Sequence, residues 1–370
     1  MPKRILHITG TMDRAGAETM VMNLYRAIDR NKFQFDFLSF SNKKGDFDDE
    51  IESLGGKIYR ITEKNPFKRM MLTTQLLKQN PQWETVHCHT LFSNGFHIYA
   101  AYKAGVKQRI SHSHNTSDLS KNKWIATIYQ FISRKVQQRY STDFVACGVA
   151  AAKFLFPDKN DVLVIPNSID TQNFANIAEQ KASYLKNEFG LDEQTKVILQ
   201  LGRLNRVKNH AFSFEIVKEL KNRAIDFKFF IAGQGELKDE LLKLVKQKGL
   251  EKEVVFLGLR TDVAELLAGS DLMLMPSLHE GFPVVLVESQ ASGTPALIAD
   301  TISSEVDLGV NAVTFMSLNS PASDWTNRMI DIFDQKCMLK DERIRKLKDQ
   351  GFDIYTNAKK LEEIYNAAHV

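Results

Sequence analysis

The chain has 370 residues, of which 43% are hydrophobic and 25% are charged, and this balance excludes an intrinsically disordered chain. The three cysteines are far apart and form no CxxC pair, which argues against a zinc site or a disulfide framework. The net charge is only +4, the first apolar stretch is too short for a signal peptide, and no apolar run approaches the roughly 20 residues of a membrane span. We therefore expect a cytoplasmic protein of about two domains.

Short β-branched runs alternate with helical patterns along most of the chain. In the first half, the predicted strands are 4–9, 33–40, 57–61, 85–89, 109–112, 143–148 and 162–168. A polar stretch follows, which we interpret as a linker with a short helix. In the second half, the predicted strands are 196–201, 227–233, 253–258, 271–277 and 294–300, and 322–368 is helical.

This alternation predicts an α/β protein with two parallel sheets that are covered by helices. Right-handed crossovers place every loop that follows a strand on one edge of its sheet, where such folds bind ligands. Two units of this kind in tandem would face each other across a cleft.

Two of these loops carry residues that suit an anion. Gly10–Ala17 lies between a strand and a helix, so it is either an anion-binding helix N-terminus or a plain turn. The sequence GRLNRVKNH places Arg203, Arg206 and Lys208 just beyond a strand. These cations suit phosphate oxygens, unless the loop is simply solvated.

A third loop, PSLHEGFPVVLVESQASGTP, holds two glutamates eight residues apart. A helix that begins near Pro283 would place Glu280 just ahead of it and Glu288 in its second turn. The free amides near Val284 and Val285 would then point at an anion. Two carboxylates around a phosphate site suit the sugar rings of a nucleotide sugar; alternatively, Glu280 only starts the helix and Glu288 is solvated.

Three further signals are weaker. The pairs His87/His89 and His112/His114 could bind a metal, but without an acidic partner we expect them to line a polar cleft. The AGQGE sequence is an incomplete dinucleotide fingerprint. Asp46–Asp48 has the DxD pattern but begins an acidic helix, so we interpret it as a cluster of charge at a helix N-terminus.

Six motifs together resemble the retaining glycosyltransferases of family 4, which have the GT-B fold, and within them the bacterial capsule and exopolysaccharide transferases. The motifs are GAE at 16–18, HSHN at 112–115, IPNSID at 165–170, LGRLNRVKN at 201–209, AGQGE at 232–236 and EGFPVVLVE at 280–288. The resemblance covers nearly the whole chain.

The resemblance implies four segments. A Rossmann-like acceptor domain would occupy 1–175 and a linker 176–195. A Rossmann-like donor domain would occupy 196–345, and a C-terminal helix within 346–370 would cross back to the N-terminal domain.

The resemblance also assigns roles to single residues. Gly16 would let the first loop approach the β-phosphate of the donor. Arg203 and Lys208 would clamp the diphosphate and stabilise its charge as it leaves. Glu280 would hold hydroxyls of the transferred sugar, and Glu288 would hold the ribose hydroxyls.

The resemblance implies further contacts to the sugar, the base and the phosphates of the donor. His114 matches the cleft histidine near the donor sugar, and Leu259 and Arg260 would contact the base. The rest of the EGFPVVLVE motif completes the site through Gly281, Phe282 and the amides of Val284 and Val285.

The implied function is transfer of a hexose or N-acetylhexosamine from a UDP-sugar, or secondly a GDP-sugar, to a glycan or lipid-diphosphate-linked saccharide in surface polysaccharide synthesis. Without a convincing DxD we expect no metal and no cofactor, and a front-face reaction in which the leaving phosphate is the base. Alternatives are a non-hydrolysing nucleotide-sugar epimerase and a non-catalytic nucleotide-sugar-binding protein. No nucleic-acid-binding motif accompanies the basic stretch.

Basic residues are concentrated in the N-terminal half. Residues 1–185 carry a net charge of +8, residues 186–370 carry −4, and residues 60–139 hold 13 basic and 3 acidic side chains. Within this stretch, a predicted helix combines Trp124, Ile128, Phe131 and Ile132 with several cations, including Lys121. It either lies on anionic lipid at the inner membrane face or is an ordinary helix with its apolar side in the core.

Overall fold

The computed structural model describes residues 1–115, 123–333, 335 and 337–367. The chain forms two compact units. The first comprises Met1–Ser168 together with the segment from Ile354 onward, and the second is Ile169–Asp353. The chain therefore leaves the first unit once and returns to it at its end.

The first unit is built on a seven-stranded sheet in which every pair of neighbours is parallel. Its strands are β1 (Lys3–Ile8), β2 (Phe33–Ser39), β3 (Ile58–Arg60), β4 (Thr85–Cys88), β5 (Gln108–Ser113), β6 (Asp143–Ala146) and β7 (Leu163–Val164). The helices among them are α1 (Gly16–Ala27), α2 (Asp48–Ser53), α3 (Pro66–Gln79), α4 (Asn94–Ala104), α5 (Lys123–Tyr140) and α6 (Val149–Leu155). The strand order across the sheet is β3-β2-β1-β4-β5-β6-β7.

The second unit has a six-stranded parallel sheet. Its helices are α7 (Thr171–Gln180), α8 (Tyr184–Phe189), α9 (His210–Asn222), α10 (Lys238–Gln247), α11 (Val263–Ala268), α12 (Val284–Ser292), α13 (Ala322–Phe333) and α14 (Lys340–Asp349). Its strands are β8 (Lys196–Leu201), β9 (Phe227–Ala232), β10 (Val254–Gly258), β11 (Leu272–Met275), β12 (Ala296–Ala299) and β13 (Val313–Met316). They lie in the order β10-β9-β8-β11-β12-β13.

Both sheets reverse their strand order at the same point. The first strand of each unit lies inside the sheet, β1 between β2 and β4, and β8 between β9 and β11. The loops after β1 and β4, and those after β8 and β11, therefore diverge to opposite faces and leave a crevice at the carboxyl edge. This is where each unit is able to hold a ligand.

The central strands are buried because helices cover both faces of each sheet. All seven residues of β2 are buried, as are five of the six in β8. Such continuous burial is typical of parallel strands with two covered faces. The expected fold, with two helix-covered parallel sheets, is confirmed.

The last helix, α15 (Ile354–Asn366), belongs to the first unit, where it packs against α1. Leu361 and Tyr365 are fully buried in the same apolar cluster as Ile5 and Phe35. Side chains from two strands also fix the end of the helix. The Lys3 ammonium donates to the Tyr365 carbonyl oxygen at 2.5 Å, and Gln108 Nε2 donates to that of Ile364 at 2.8 Å.

Some stretches differ from the expectation. Residues 176–195, expected to form a linker, include the end of α7 and all of α8, and both helices pack against α11 in the second unit. Their polar sequence reflects a narrow buried side, which includes Ala175 and Leu185. Strand β13 and helix α6 were not predicted, and β7 covers only two residues of the expected 162–168. These elements are short, so their patterns are weak.

Candidate active site

Two loops meet at the crevice of the second sheet. The loop after β8 carries Val207 and Asn209, and the loop after β11 carries Pro276 and Leu278. The Leu278 amide donates to the Val207 carbonyl oxygen at 2.8 Å, and Asn209 Nδ2 donates to the Pro276 carbonyl oxygen at 3.0 Å. The two loops are therefore held as one surface.

An ion pair crosses this surface. Lys208 Nζ lies 2.7 Å from a carboxylate oxygen of Glu280, and both side chains are largely buried, with 15% and 14% of their surface exposed. The lysine backbone is fixed as well, since its amide donates to Asn205 Oδ1 at 3.2 Å and its carbonyl accepts from Gln200 Nε2 at 2.8 Å. The ion pair therefore holds a cation and a carboxylate in contact at the sheet edge.

Arg203 supplies a second cation in the same loop. Its side chain is exposed, and no ion pair to it occurs in the part of the chain that the structure describes. Arg206 is also exposed and lies in a short 3₁₀ turn, Arg206–Lys208. A guanidinium without a carboxylate partner is available to a phosphate, which it can bind with two parallel hydrogen bonds.

The N-terminus of α12 faces the same loops. Pro283 is its N-cap, one position earlier than the expected first-turn proline, and no side chain caps the helix. The first amides, including those of Val284 and Val285, therefore carry the partial positive charge of a helix N-terminus. Gly281 is exposed, and a Cβ added there would meet nothing within 4 Å.

Glu288 lies in the second turn of α12, as expected, and is half-buried. Burial raises the pKa of its carboxyl group to about 7, because the charged form loses solvation there. The side chain therefore changes charge near neutral pH. A carboxylate of this kind accepts hydrogen bonds from hydroxyl groups most strongly when it is ionised.

Phe282 and Arg260 have other structural roles. The Phe282 ring stacks on Phe352 with centroids 5.3 Å apart, so this side chain is part of the packing of the second unit. The Arg260 guanidinium binds Glu188 at 2.8 Å and Asp262 at 2.5 Å. A base contact at 259–260 would therefore come from the backbone or from Leu259, which is 55% exposed.

The glycines of AGQGE serve close packing of loops. A Cβ on Gly233 would lie 1.9 Å from the Gly202 carbonyl oxygen, and one on Gly235 would lie 2.3 Å from the Leu204 carbonyl oxygen. The Leu204 amide also donates to the Gln234 carbonyl oxygen at 2.9 Å. These glycines let the loop after β9 support the loop that carries Arg203 and Lys208.

In the first unit, the loop after β1 leads into α1. Gly16 is the first residue of that helix, is exposed, and has open space where a Cβ would stand. No side chain caps α1. The geometry leaves its first amides open to an anion.

The histidines of the first unit cluster at the carboxyl edge of β1, β4 and β5. His114 Nε2 lies 2.8 Å from His89 Nδ1, and burial lowers the pKa of His114 to about 4. Two groups of three histidines each bring one ring nitrogen to within 4.8 Å of the others. The groups are His7/His87/His89 and His89/His112/His114.

The acidic string Asp46–Asp48 is tied to its own unit. Asp48 is buried and pairs with Arg60, and Asp46 accepts a hydrogen bond from the Arg14 amide at 3.0 Å. The ion pair, in which only the carboxylate is buried, gives Asp48 a structural role at the start of α2.

The structure thus brings one set of expected residues together on neighbouring loops of the second unit. They are Arg203, Lys208, Glu280, Gly281, Val284, Val285 and Glu288. Gly16 and His114 lie at the carboxyl edge of the first sheet. Sequence reasoning did not find Tyr365, which contacts the histidine cluster from α15, because nothing in its local sequence marks it.

Comparisons with known proteins match both halves of the chain. The model for Glycosyltransferase Family 4 matches residues 14–173, and the model for Glycosyl transferases group 1 matches residues 183–349. The Bacillus subtilis (strain 168) protein "Putative glycosyltransferase EpsF" is 38% identical over 98% of this chain and 96% of its own length. The chain belongs to the glycosyltransferase family that these two models and the B. subtilis protein represent. It is therefore a glycosyltransferase, and its resemblance to family 4 is confirmed.

Other relatives and a solved structure agree with this assignment. The glycosyltransferase is 26% identical to the capsular polysaccharide biosynthesis glycosyltransferase CapH of Staphylococcus aureus, over 98% of both chains. It is 26% identical to the UDP-Gal:alpha-D-GlcNAc-diphosphoundecaprenol alpha-1,3-galactosyltransferase of Escherichia coli, over 80% of this chain and 79% of that one. The Anabaena HepE structure with UDP has a TM-score of 0.78 at 19% identity, over 99% of this chain and 100% of that one, and so shares the GT-B fold.

Replacing Gly233 by alanine should destabilise the second unit by about 2–4 kcal/mol, because the new methyl group would overlap the Gly202 carbonyl. Urea unfolding measures the loss. Gly190→Ala is the matched control: its φ is also positive (+60°), but a Cβ there meets nothing, so only about 1 kcal/mol should be lost. Equal losses in the two variants would contradict the close approach of the loops.

Glu288→Gln should raise the unfolding temperature at pH 8 but not at pH 5. The pKa of Glu288 is higher in the folded protein, so the stability that this group contributes falls as pH rises from about 4.5 to 7. We expect a gain of about 1–3 kcal/mol at pH 8. Asp262→Asn is a control of opposite sign, because the hydrogen bond from Arg260 lowers the pKa of Asp262 to about 2. A Glu288→Gln gain that is independent of pH would contradict the raised pKa.

Proposed function

We propose that the glycosyltransferase moves a hexose or N-acetylhexosamine, with retention of configuration, from a UDP-sugar to a glycan or lipid-linked saccharide in surface polysaccharide synthesis. The observation that carries the proposal is the set of anion- and hydroxyl-binding groups on the second unit. Arg203, Lys208 and the N-terminus of α12 can meet a diphosphate, and Glu280 and Glu288 can meet sugar hydroxyls. The UDP in the HepE structure and the UDP-galactose in the name of the E. coli relative support the choice of nucleotide.

The ion pair between Lys208 and Glu280 suggests how the donor is bound. A diphosphate that binds Lys208 replaces the carboxylate as its partner, and Glu280 is then free to accept hydrogen bonds from sugar hydroxyls. This single exchange of partners thus makes Lys208 available to the diphosphate and Glu280 available to the sugar. Since Lys208 and Glu280 are already largely desolvated, much of the cost of burying their charges is met before the donor arrives.

The same groups stabilise the leaving group. As the bond from the sugar to the phosphate breaks, negative charge grows on the diphosphate while the sugar takes on oxocarbenium character. In the proposed reaction, Arg203, Lys208 and the amides of α12 stabilise that charge, and we therefore expect no requirement for a metal ion. The leaving phosphate takes the proton of the acceptor hydroxyl on the same face of the sugar, which retains the anomeric configuration.

UDP should raise the unfolding temperature of the protein, whereas ADP and NAD should not, and EDTA should leave the UDP effect unchanged. At a hundred times its dissociation constant, a ligand stabilises a protein by about 2.7 kcal/mol. A higher unfolding temperature with GDP, and not with UDP, would indicate that the donor is a GDP-sugar. Loss of the shift on adding EDTA would contradict metal-independent binding.

Arg203→Ala should reduce this UDP shift, and turnover of the UDP-sugar should fall with it. Arg206→Ala is the matched control, because it removes an exposed arginine from the same loop without removing a proposed phosphate contact. Equal effects of the two variants would argue for a diffuse electrostatic attraction instead of a specific contact.

An apolar surface on the first unit suggests where a lipid-linked acceptor is met. Four side chains of α5 and three of α3 are exposed, by 43–77%; they are Trp124, Ile128, Phe131, Ile132, Phe67, Met71 and Leu72. Helix α4 packs between these helices, and Phe96 contacts both Phe67 and Tyr129. The apolar side of α5 is thus outside the core, contrary to the ordinary-helix alternative.

We therefore propose that this surface rests on an anionic membrane at the inner face of the cell membrane, where a lipid-linked acceptor would be found. Lys135 and Arg139 are exposed on the same helix, whereas Lys121 lies outside the described residues. Arg134 is engaged within the unit, since it donates to the Phe154 carbonyl at 2.9 Å and lies over the Phe92 ring. No described helix is both long and apolar enough to cross a bilayer.

The double variant Trp124→Ser/Phe131→Ser should lose most of its co-sedimentation with vesicles that contain phosphatidylglycerol, because it removes the two most exposed aromatic rings of α5. Lys135→Glu should weaken binding further at low salt. Leu242→Ser in the second unit removes an apolar side chain that is 44% exposed and should bind as the wild type does. Unchanged sedimentation of the double variant would contradict the membrane contact.

A further inference from the structure

Five histidines and one tyrosine form a single run of hydrogen bonds at the carboxyl edge of the first sheet. We call this set the histidine chain. In order along the bonds it consists of His114, His89, His7, Tyr365, His87 and His112.

One arm of the chain runs from His114 to the tyrosine. His114 Nε2 lies 2.8 Å from His89 Nδ1, and His89 Nε2 lies 3.0 Å from His7 Nδ1. His7 Nε2 lies 3.4 Å from the Tyr365 hydroxyl. The other arm runs from that hydroxyl to His87 Nδ1 at 2.8 Å, and from His87 Nε2 to His112 Nδ1 at 3.1 Å.

Every link between two rings joins Nε2 of one ring to Nδ1 of the next. Burial lowers the pKa of each ring, to about 3 for His7 and about 4 for His114, so the rings are neutral at pH 7. A neutral imidazole has one N–H and one acceptor nitrogen. The position of the proton on one ring therefore fixes its position on the next ring of the arm.

Tyr365 joins the two arms. Its hydroxyl is buried and can donate to one arm while it accepts from the other. If it accepted from both arms, its own O–H would lack a partner in the core, which costs about 1–3 kcal/mol. All five rings are then protonated on the same nitrogen, either all on Nδ1 or all on Nε2.

The two ends of the chain differ in burial. His112 Nε2 and His114 Nδ1 are both buried and without a partner in the described part of the chain. The residue His112 is 1% exposed, whereas His114 is half-buried at the sheet edge. An orphaned N–H is rarer in proteins than an unsatisfied acceptor. The Nδ1–H form places the spare N–H on His114, the less buried of the two residues, and leaves only an unsatisfied acceptor on His112.

We propose that the histidine chain is held in the Nδ1–H form and that Tyr365 is the positioning residue that couples its two arms. In this form both nitrogens of His114 are committed, because Nδ1 carries the proton and Nε2 accepts from His89. His114 therefore has no free acceptor nitrogen, and so it does not act as a general base.

A metal site is the competing explanation for the cluster. His89, His112 and His114 bring nitrogens close together, but the rings of His112 and His114 stack at 4.0 Å with 25° between their planes. A lone pair in each ring plane would then not point at a shared ion. Both nitrogens of His89 are also engaged in the chain.

Nitrogen-15 spectra of the histidine rings in the full-length protein test the proposal. Long-range proton–nitrogen correlations distinguish the two neutral forms, and we expect all five rings to be protonated on Nδ1. A chain in which any ring is protonated on Nε2 would overturn it. Addition of Zn²⁺ should leave the signals in place, and their displacement at one equivalent of Zn²⁺ would identify a metal site and also overturn it.

Tyr365→Phe removes only the hydroxyl that joins the arms. His87 and His112 should then populate both neutral forms, because their protons are no longer tied to the other arm. Tyr25→Phe is the matched control, since it removes another buried hydroxyl of the same unit that binds Gln34 and lies outside the chain. It should leave all five rings unchanged. An unchanged spectrum for Tyr365→Phe would contradict the coupling.

Discussion

The ion pair between Lys208 and Glu280 is the contact on which the second unit's site depends. It joins the loops on either side of the point where the sheet reverses its strand order. Around it, the contacts of Asn209 and Leu278 fix the two backbones, and Gly233 and Gly235 allow a third loop to support them. The ammonium and the carboxylate, each of which would lose solvation without compensation if it were alone, are thus held together at the crevice where the proposed donor would bind.

The first unit has the same strand order but a different kind of polar edge. Where the second unit buries a charged pair, the first buries neutral rings, and burial itself keeps them neutral by lowering the pKa of each. The register explains why the rings meet. His7 pairs with His87, and His87 pairs with Ile110, so residues two further along β4 and β5 lie on the same face of the sheet. Alternation along a strand thus assembles a cluster from two HxH pairs and one single histidine.

Much of the fold could be predicted because it is repeated in simple patterns. Buried parallel strands such as KVILQL and FKFFIA are mostly apolar, and the cations and carboxylates follow them at the strand ends. The predictions failed where the pattern is short or where the partner is distant. Strand β13 has four half-buried residues, and α7 and α8 bury only a narrow side. Arg260 and Phe282 matched motifs, but sequence alone did not show that Glu188, Asp262 and Phe352 engage them.

The return of the chain end to the first unit has a consequence for how that unit is completed. Tyr365 is separated from His7 by 358 residues, and the whole second unit lies between the two parts of the first. Until α15 docks, the two arms of the histidine chain lack the hydroxyl that joins them, and Ile5 and Phe35 lack part of their apolar cover. The entropic cost of closing a loop grows only slowly with the length of the loop. Here that cost is also reduced once the second unit has folded, because folding brings the two ends of that unit together. The polar edge of the first unit is therefore completed by α15, a segment that follows the whole second unit in the sequence, and its hydrogen-bond order depends on a residue that belongs to none of its strands.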